Sequence, residues 1–409
     1  MTQAAPGSWL RIGCVTAHPY PTDREIRVTR CAAALHEAGA EVTILCPANN
    51  TAAGGDFAHG RIVRFTPPGR GLFGRLLAAP YPINPTWFFR LFFAIRKYAL
   101  EVLIIRDLRL ALPGILAAKL LGARVILDLG ENYPGMMQVV GKQKLAHHLI
   151  RNIPVIRVLE AVSVLLADQV WVVVEENRQR LIRYAGAANV KVISNYASAG
   201  LGPVPVAAQT PYSADGEPVE LVFLGLIDNI RGLDLALDAT ARLLEEYPNV
   251  VFHIHGDGPS LDTLTARAQR LGIMQQVRFH GWANGADKYE ILARADIGIL
   301  LHTVCELTNT TMPNKLFDYM RVGLPVVATL TTPVTRVVRQ AGCGVLVEES
   351  APKIAQQIGR LVGDVKMRED MGRAGVVATH SCYAWEKEAR KIVENITGLL
   401  GLVSNDHRN

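Results

Sequence analysis

The sequence predicts an α/β protein made of two doubly wound domains of similar size. Three observations carry this: β-branched runs alternate with helical segments, the alternation breaks once near the middle, and it then restarts with the same grammar. A chain of 409 residues, 49% hydrophobic and 20% charged, is long enough for two ordinary cores.

In the first half, RIGCVTA (11 to 17) reads as a strand, residues 24 to 39 as a helix stopped by Gly39, and EVTILCP (41 to 47) as the next strand. EVLIIRD (101 to 107), ARVILDL (123 to 129), QVWVVV (169 to 174) and VKVIS (190 to 194) continue the series, with helical stretches between most of them. Residues 195 to about 218 lose periodicity and collect Gly, Pro, Ala and Ser, the composition of a linker. The strands of the second half are VELVFLG (219 to 225), VVFHIHG (250 to 256), QVRFHG (276 to 281), DIGILL (296 to 301), PVVAT (325 to 329) and CGVLVE (343 to 348). Helices separate them, one running from Leu233 to Glu246 and another starting at Pro313. The expected domains are therefore 1 to 200 and 219 to 382, joined by the linker and followed by a charged amphipathic helix over 383 to 400.

Composition narrows the function classes. A formal charge of +6 and a pI near 9.0 favour anionic partners, such as phosphorylated substrates or membrane surfaces. Nucleic acid is the weaker reading, because no basic stripe interleaved with aromatics appears. No G-x-G-x-x-G follows either opening strand and no P-loop is present, which argues against dehydrogenases and NTPases. The six cysteines are scattered, with no C-x-x-C pair and no Cys/His cluster at metal spacing, so free thiols, no metal and no cofactor are expected. The opening MTQAAPGSWLRIGC lacks a basic end followed by a long apolar run, and no stretch reaches about 18 apolar residues. A cytoplasmic protein is the expectation.

In open parallel sheets ligands sit outside the carboxyl ends of the strands. Two loops there have suitable chemistry. In HGDGPS, Gly256, Asp257 and Gly258 would let a ligand approach the backbone, although a plain tight turn explains the same residues equally well. In TTMPNKLFDYMRVGLPVVAT, Pro313 suits a first helical turn, so the amides of Thr310 to Asn314 and the helix dipole would face the ligand. Lys315 and Asp318, three residues apart, would then hold a phosphate and a diol. The alternative is an ordinary surface ion pair.

GLIDNIRGLDLALDA, HIHGDGP, VRFHGW, ADIGILL and MPNKLFDYMRVGLPVVAT occur in the order and spacing of the donor domain of family-four glycosyltransferases. HPYPTDREIRVTRCAAALHEAGAEVTIL and VILDLGENYPGMM resemble segments of the first domain of the same family. The resemblance spans roughly residues 10 to 400. It implies the GT-B fold, two Rossmann-like domains facing across a cleft with the last helix crossing back to the first domain. It also implies a retaining sugar transfer from a UDP- or GDP-type donor, without a bound metal.

Carried over residue by residue, the resemblance puts Arg231 on the donor diphosphate and Asp318 on the nucleotide ribose. Lys315 and Asn314 line the phosphate and sugar side, with Glu306, Thr310, Thr311 and Leu316 completing the donor loop. Three positions depart from the family pattern: Thr310 stands at the first acid of Glu-x7-Glu, Leu226 at a usual arginine, and Gly130 at a usual histidine. Glu306 is the candidate replacement for the missing acid. Catalysis would rest on Arg231 and Lys315 stabilising the leaving diphosphate, with Glu131 from the other domain.

On the acceptor side the candidates are His18, Arg24, Arg106, Glu131 and Asn132. Helix-start and turn roles explain His18, Asp23 and Arg24 at least as readily. PTWFFRLFFAIRKYAL (85 to 100), with Arg70 and Arg75 upstream, reads either as an anchor on an anionic leaflet serving a lipid-linked acceptor or as a helix buried on both sides. A carbohydrate, a lipid-linked glycan and a small molecule all fit as acceptor, and the oligomeric state is open. Competing readings are a catalytically degenerate GT-B subunit that binds or regulates a partner, and a GT-B epimerase or phosphorylase.

Overall fold

The computed structural model describes residues 10–22, 25–48, 55–66, 84–139, 152–197, 217–283 and 287–402. Arg24, Arg70, Arg75 and residues 198–216 of the expected linker lie outside these. The chain divides into two compact units, Met1–Ser194 with Lys387–Asn409, and Asn195–Glu386.

The first unit is built on an eight-stranded sheet of β1 (Arg11–Thr16), β2 (Glu41–Pro47), β3 (Gly55–Phe57), β4 (Gly60–Phe65), β5 (Val102–Arg106), β6 (Arg124–Leu129), β7 (Gln169–Val172) and β8 (Val190–Val192). Its order is β3-β4-β2-β1-β5-β6-β7-β8, parallel throughout except for the β3/β4 hairpin. The inner strands read as unbroken apolar runs because both faces are covered by helices. No strand is expected from the sequence between 47 and 101; β4 pairs with β2 and β3 pairs with β4, and this pairing rather than their own pattern makes them strands.

Helix α1 (Ile26–Glu37) packs Val28, Cys31, Ala32 and Leu35 inward at helical spacing. Helix α2 (Pro85–Tyr98) starts on Asn84, whose side chain accepts from Thr86 N at 3.0 Å, with Pro85 at the first helical position. Trp87, Leu91, Ala94 and Ile95 are buried, whereas Phe89 and Phe93 are 54% and 62% exposed. The helix is therefore buried on one side, not both. Helices α3 (Ala111–Leu120), α4 (Tyr133–Val139), α5 (Ile153–Leu166) and α6 (Glu175–Ala185) complete the unit.

The second unit carries a six-stranded parallel sheet of β9 (Glu220–Leu224), β10 (Val251–His255), β11 (Val277–Gly281), β12 (Ile297–Leu300), β13 (Val326–Thr329) and β14 (Gly344–Val347), ordered β11-β10-β9-β12-β13-β14. Helices α7 (Leu233–Leu243), α8 (Leu261–Arg270), α9 (Asp287–Arg294), α10 (Asn314–Arg321), α11 (Thr332–Ala341), α12 (Ala351–Val362) and α13 (Val365–Ser381) form its layers. One core lies against α7 and α12 around Phe223, Phe252 and Ile299, the other against α10 and α11 around Phe317, Tyr319 and Val338. The last helix, α14 (Trp385–Leu399), leaves this unit, and its residues from Lys387 belong to the first. There Glu388 accepts a hydrogen bond from Ser194 N at 2.7 Å, while Ile392 and Ile396 are buried one turn apart.

From β9 the chain runs outward through β10 and β11, then returns to the other side of β9 as β12. The loops after β9 and β12 consequently diverge at a switch point, the place where open α/β sheets bind ligands.

Candidate functional site

Arg231 lies in the loop after β9, His302 just past β12, and Lys315 in the first turn of α10. Arg231 Nη1 donates to His302 Nε2 at 3.2 Å, and its Nε lies 3.2 Å from Asp228 Oδ1. Because a guanidinium only donates, the Nε2 lone pair of His302 must face Arg231. Burial, then Arg231 and Lys315, push the His302 pKa well below its ordinary value, so the ring is neutral.

Lys315 is buried, and its Nζ has no hydrogen-bond partner among the described residues. Its ammonium sits 3.6 Å from the centroid of the Phe223 ring. Burial, then Arg231, hold its pKa well below the lysine range. Two cations thus converge on the switch point, and among the described residues Asp228 is the carboxylate ion-paired with Arg231. An incoming anion would relieve both desolvation and repulsion.

Asp318 does not pair with Lys315. It is buried, and its Oδ1 accepts from Lys288 Nζ at 2.9 Å and from Tyr289 OH at 3.0 Å, both on α9. The surface ion-pair reading of Lys315 and Asp318 fails for this reason. Three further expectations change. Leu316 is fully buried in the apolar core and its amide donates to Pro313 O, so it offers no ligand contact. The Thr310 amide is taken by Leu307 O, and the hydroxyls of Thr310 and Thr311 donate to Glu306 O and Leu307 O. Pro313 precedes α10 as its cap, and no side chain caps the helix, whose first residue, Asn314, is exposed.

The glycines after β10 are also needed for a different reason. A Cβ at Gly256 would lie 1.9 Å from Gly225 O, and one at Gly258 would lie 2.2 Å from Ile227 O. The neighbouring loop therefore makes a close approach of its own to both glycines. Asp257 O accepts from Ile227 N at 2.9 Å, which ties the two loops together.

In the first unit, the ends of β1, β5 and β6 bring together a charged network. His18 Nδ1 lies 2.8 Å from Glu25 Oε1, and its Nε2 lies 3.1 Å from Arg109 Nη2. Arg109 also bonds Asp107, which is held at φ +106° and caps the short turn after β5. Arg106 reaches Glu25 Oε2 and Asp128 Oδ2, each at 3.4 Å, and Arg27 grips Asp128 with Nε and Nη2 at 2.8 Å. Burial alone would raise the Asp128 carboxyl; Arg27 and Arg106 outweigh it and hold the pKa below the ordinary value. Asn132 is buried and starts α4, its Oδ1 accepting from Gly135 N at 3.0 Å, whereas Glu131 is exposed. A Cβ at Gly130 would meet Arg106 Nη1 at 2.7 Å, so the guanidinium fills the space of the missing histidine.

Residues 25–196 match the family model of the glycosyl transferase 4-like domain, and residues 218–364 match that of glycosyl transferases group 1. The chain belongs to the GT-B glycosyltransferases. Among its relatives is the lipopolysaccharide core biosynthesis glycosyltransferase LpsE of Rhizobium meliloti, 26% identical over 46% of this chain and 51% of LpsE. The chain spans about half or less of the length of the first curated relatives it matches. Among solved structures, sucrose-phosphate synthase from Thermosynechococcus elongatus superposes with a TM-score of 0.77 at 17% identity, covering 96% of this chain and 100% of that one. The Anabaena protein HepE, solved in complex with UDP and glucose, gives 0.71 at 16% identity over 95% and 100%. These likenesses establish the GT-B fold.

Several members of these two charged networks are not legible in the sequence. His302, Lys288 and Tyr289 had no local signal, because each meets its partner from a different strand or helix. Asp228 was legible as an Asp-x-x-Arg pair with Arg231, and Glu25 and Asp128 as charges at element ends. The sequence shows no Cys/His cluster at metal spacing, yet three histidines, His253, His255 and His280, come together on β10 and β11. Their H-x-H spacing on a strand was the signal.

Proposed function

We propose that this glycosyltransferase moves a sugar from a nucleoside diphosphate donor, of the UDP or GDP type, to an acceptor hydroxyl with retention of configuration. The observation that carries the reading is the buried Lys315 ammonium, without a hydrogen-bond partner among the described residues, beside Arg231 at the switch point. A diphosphate is the ligand whose charge matches the pair. Lys288 and Tyr289 both donate to Oδ1 of Asp318, and Oδ2, which accepts no hydrogen bond among the described residues, is the oxygen offered to ribose hydroxyls. HepE, solved with UDP and glucose, supports this by analogy of fold.

As the glycosyl bond to diphosphate breaks, negative charge grows on the leaving group. Arg231 and Lys315 stabilise it, so the chain itself supplies the cations that a metal would otherwise provide. In a front-side displacement the departing phosphate takes the acceptor proton, and no dedicated base is needed. Thr310 leaves the donor-sugar contact to Glu306 or to backbone. The test is incubation with a panel of UDP- and GDP-sugars under chelator, with and without acceptor, followed by NMR of the product anomer. Transfer or slow hydrolysis with retention supports the reading; inertness toward every donor supports the degenerate-subunit alternative, and an altered sugar without transfer the epimerase.

For the acceptor, we propose a lipid-linked glycan at an anionic membrane surface. Phe89 and Phe93 on α2, Leu116 and Leu120 on α3, and Val158 and Leu165 on α5 are exposed, with Arg96, Lys97, Lys119 and Arg157 exposed on the same three helices. Among the described residues no helix is long and apolar enough to cross a membrane. Flotation with vesicles containing anionic lipid should carry the protein upward, and Phe89→Glu with Phe93→Glu should abolish it. Wild-type protein that stays at the bottom contradicts the membrane contact.

A further inference from the structure

On β10, Phe252 and Ile254 point into the core, which leaves His253 and His255 on the opposite face. On the edge strand β11, Val277 and Phe279 pack toward the same core, so Arg278 and His280 share the histidine face. The pairing places His253 opposite Arg278, then shifts register between Ile254 and His255, which faces Gly281. That irregularity brings His280 alongside both histidines of β10. Ring centroids lie 4.3 Å apart for His255 and His280 and 5.1 Å for His253 and His280.

We propose that His253, His255 and His280 form a binding site for a divalent transition metal ion of the zinc class. One ligand nitrogen from each lies within 4.8 Å of the others, and His253 Nδ1 faces His280 Nε2 at 2.9 Å. Tetrahedral zinc, with bonds of about 2.0–2.1 Å, holds its nitrogens roughly 3.3 Å apart. Small movements therefore suffice, and the exposed His280 ring is the one that must turn out of the stack. The proton shared by His253 and His280 moves to the far nitrogen of its ring as the metal takes the two lone pairs. On His253 the far nitrogen is Nε2, which is buried without a hydrogen-bond partner among the described residues and lies 3.8 Å from Glu220 Oε1. A carboxylate behind a ligating imidazole is the usual support of a metal histidine.

Burial and mutual repulsion push His253 and His255 down to about 4, and His280 is lowered too. All three offer neutral imidazoles at pH 7, the form a metal binds. Arg278 on the same face opposes a cation and Glu220 favours it, so moderate affinity is expected. The ion would clamp the edge strand beside Gly256, whose amide donates to Gly281 O at 2.7 Å, and so brace the loop that supports the donor site; this last consequence rests on the proposed function.

The test uses the full chain after chelation and dialysis, titrated with cobalt(II) as a visible probe and with zinc(II), with elemental analysis after gel filtration. One ion per chain is expected, with a cobalt spectrum of nitrogen ligation. His255→Gln and His280→Gln should each weaken binding by about tenfold or more, whereas His380→Gln should leave it unchanged. Circular dichroism confirms that the variants are folded. Lack of stoichiometric binding, or binding that survives the His255→Gln/His280→Gln double variant, overturns the proposal. Metal uptake is read directly, so its failure is distinct from a failure to bind nucleotide.

Discussion

Replacing Lys315 with methionine separates two consequences of one buried charge. Methionine keeps most of the stem and removes the ammonium, which has no hydrogen-bond partner among the described residues. Removing an unsatisfied buried donor gains about 1–3 kcal/mol. The lost contact with the Phe223 ring, at 3.6 Å, offsets about 0.5–2 kcal/mol of that. A net gain near 1 kcal/mol would raise the melting temperature by about 2–4 °C in a domain of this size. Nucleotide binding should move the other way. A charge-assisted hydrogen bond to phosphate contributes about 1.5–3 kcal/mol, so Lys315→Met should weaken diphosphate binding by roughly 10- to 150-fold. Calorimetry with UDP and GDP reads the affinity, and scanning calorimetry of the ligand-free protein reads the stability. A variant that melts lower and binds diphosphate as tightly as wild type would refute the reasoning.

The same lysine predicts a pH dependence. Its pKa in the free protein lies below the ordinary lysine value, held down by burial and Arg231, with Asp228 and Asp318 opposing and neutral His302 nearby. A bound diphosphate raises it, so binding takes up a proton and affinity should fall as pH rises through the free-protein value. Titrations in buffers of different ionisation enthalpy should show the uptake in wild type and none in Lys315→Met. Gly130→His should lower the melting temperature by a few degrees, because the new side chain would push the Arg106 guanidinium away from buried Glu25 and Asp128, each 3.4 Å from it, and losing contacts to buried charges costs about 1–3 kcal/mol. Arg106→Ala should relieve part of that loss in the double variant. Asp128, held below its ordinary pKa in the folded state, contributes stability that is present above the unfolded carboxylate value and is lost as pH falls through the folded one. Acid unfolding of Asp128→Asn should therefore show a shallower dependence on pH than that of wild type.

Most of the architecture was legible because parallel strands buried on both faces, such as β1, β6 and β12, carry unbroken apolar runs between glycine-marked turns. The β3/β4 hairpin was not, since it joins the sheet only where β4 pairs with β2, in a register such as Thr43 with Arg61 that local pattern does not show. At the site, Arg231, Lys315 and Asp318 stood out as charges in loops or at a helix start. Their actual partners did not. Asp318 meets Lys288 and Tyr289 across some 30 residues, and Arg231 meets His302 across 71, distances at which sequence spacing carries no information. Leu316 was misplaced because it lies within the motif, although helical periodicity turns it into the core beside Phe317 and Tyr319. The glycines of HGDGP stood out in the sequence, but their contact with the loop of Gly225 and Ile227 did not, because it joins residues some 30 positions apart.

The central claim is that Lys315 and Arg231 grip a nucleoside diphosphate. Calorimetric titration of the full chain with UDP and GDP, each compared with its monophosphate, tests it most directly. One of the two diphosphates should bind one per chain and at least about tenfold tighter than its monophosphate, the difference expected from one charge-assisted contact. Equal affinity for mono- and diphosphate, or no binding of either nucleotide, would contradict it.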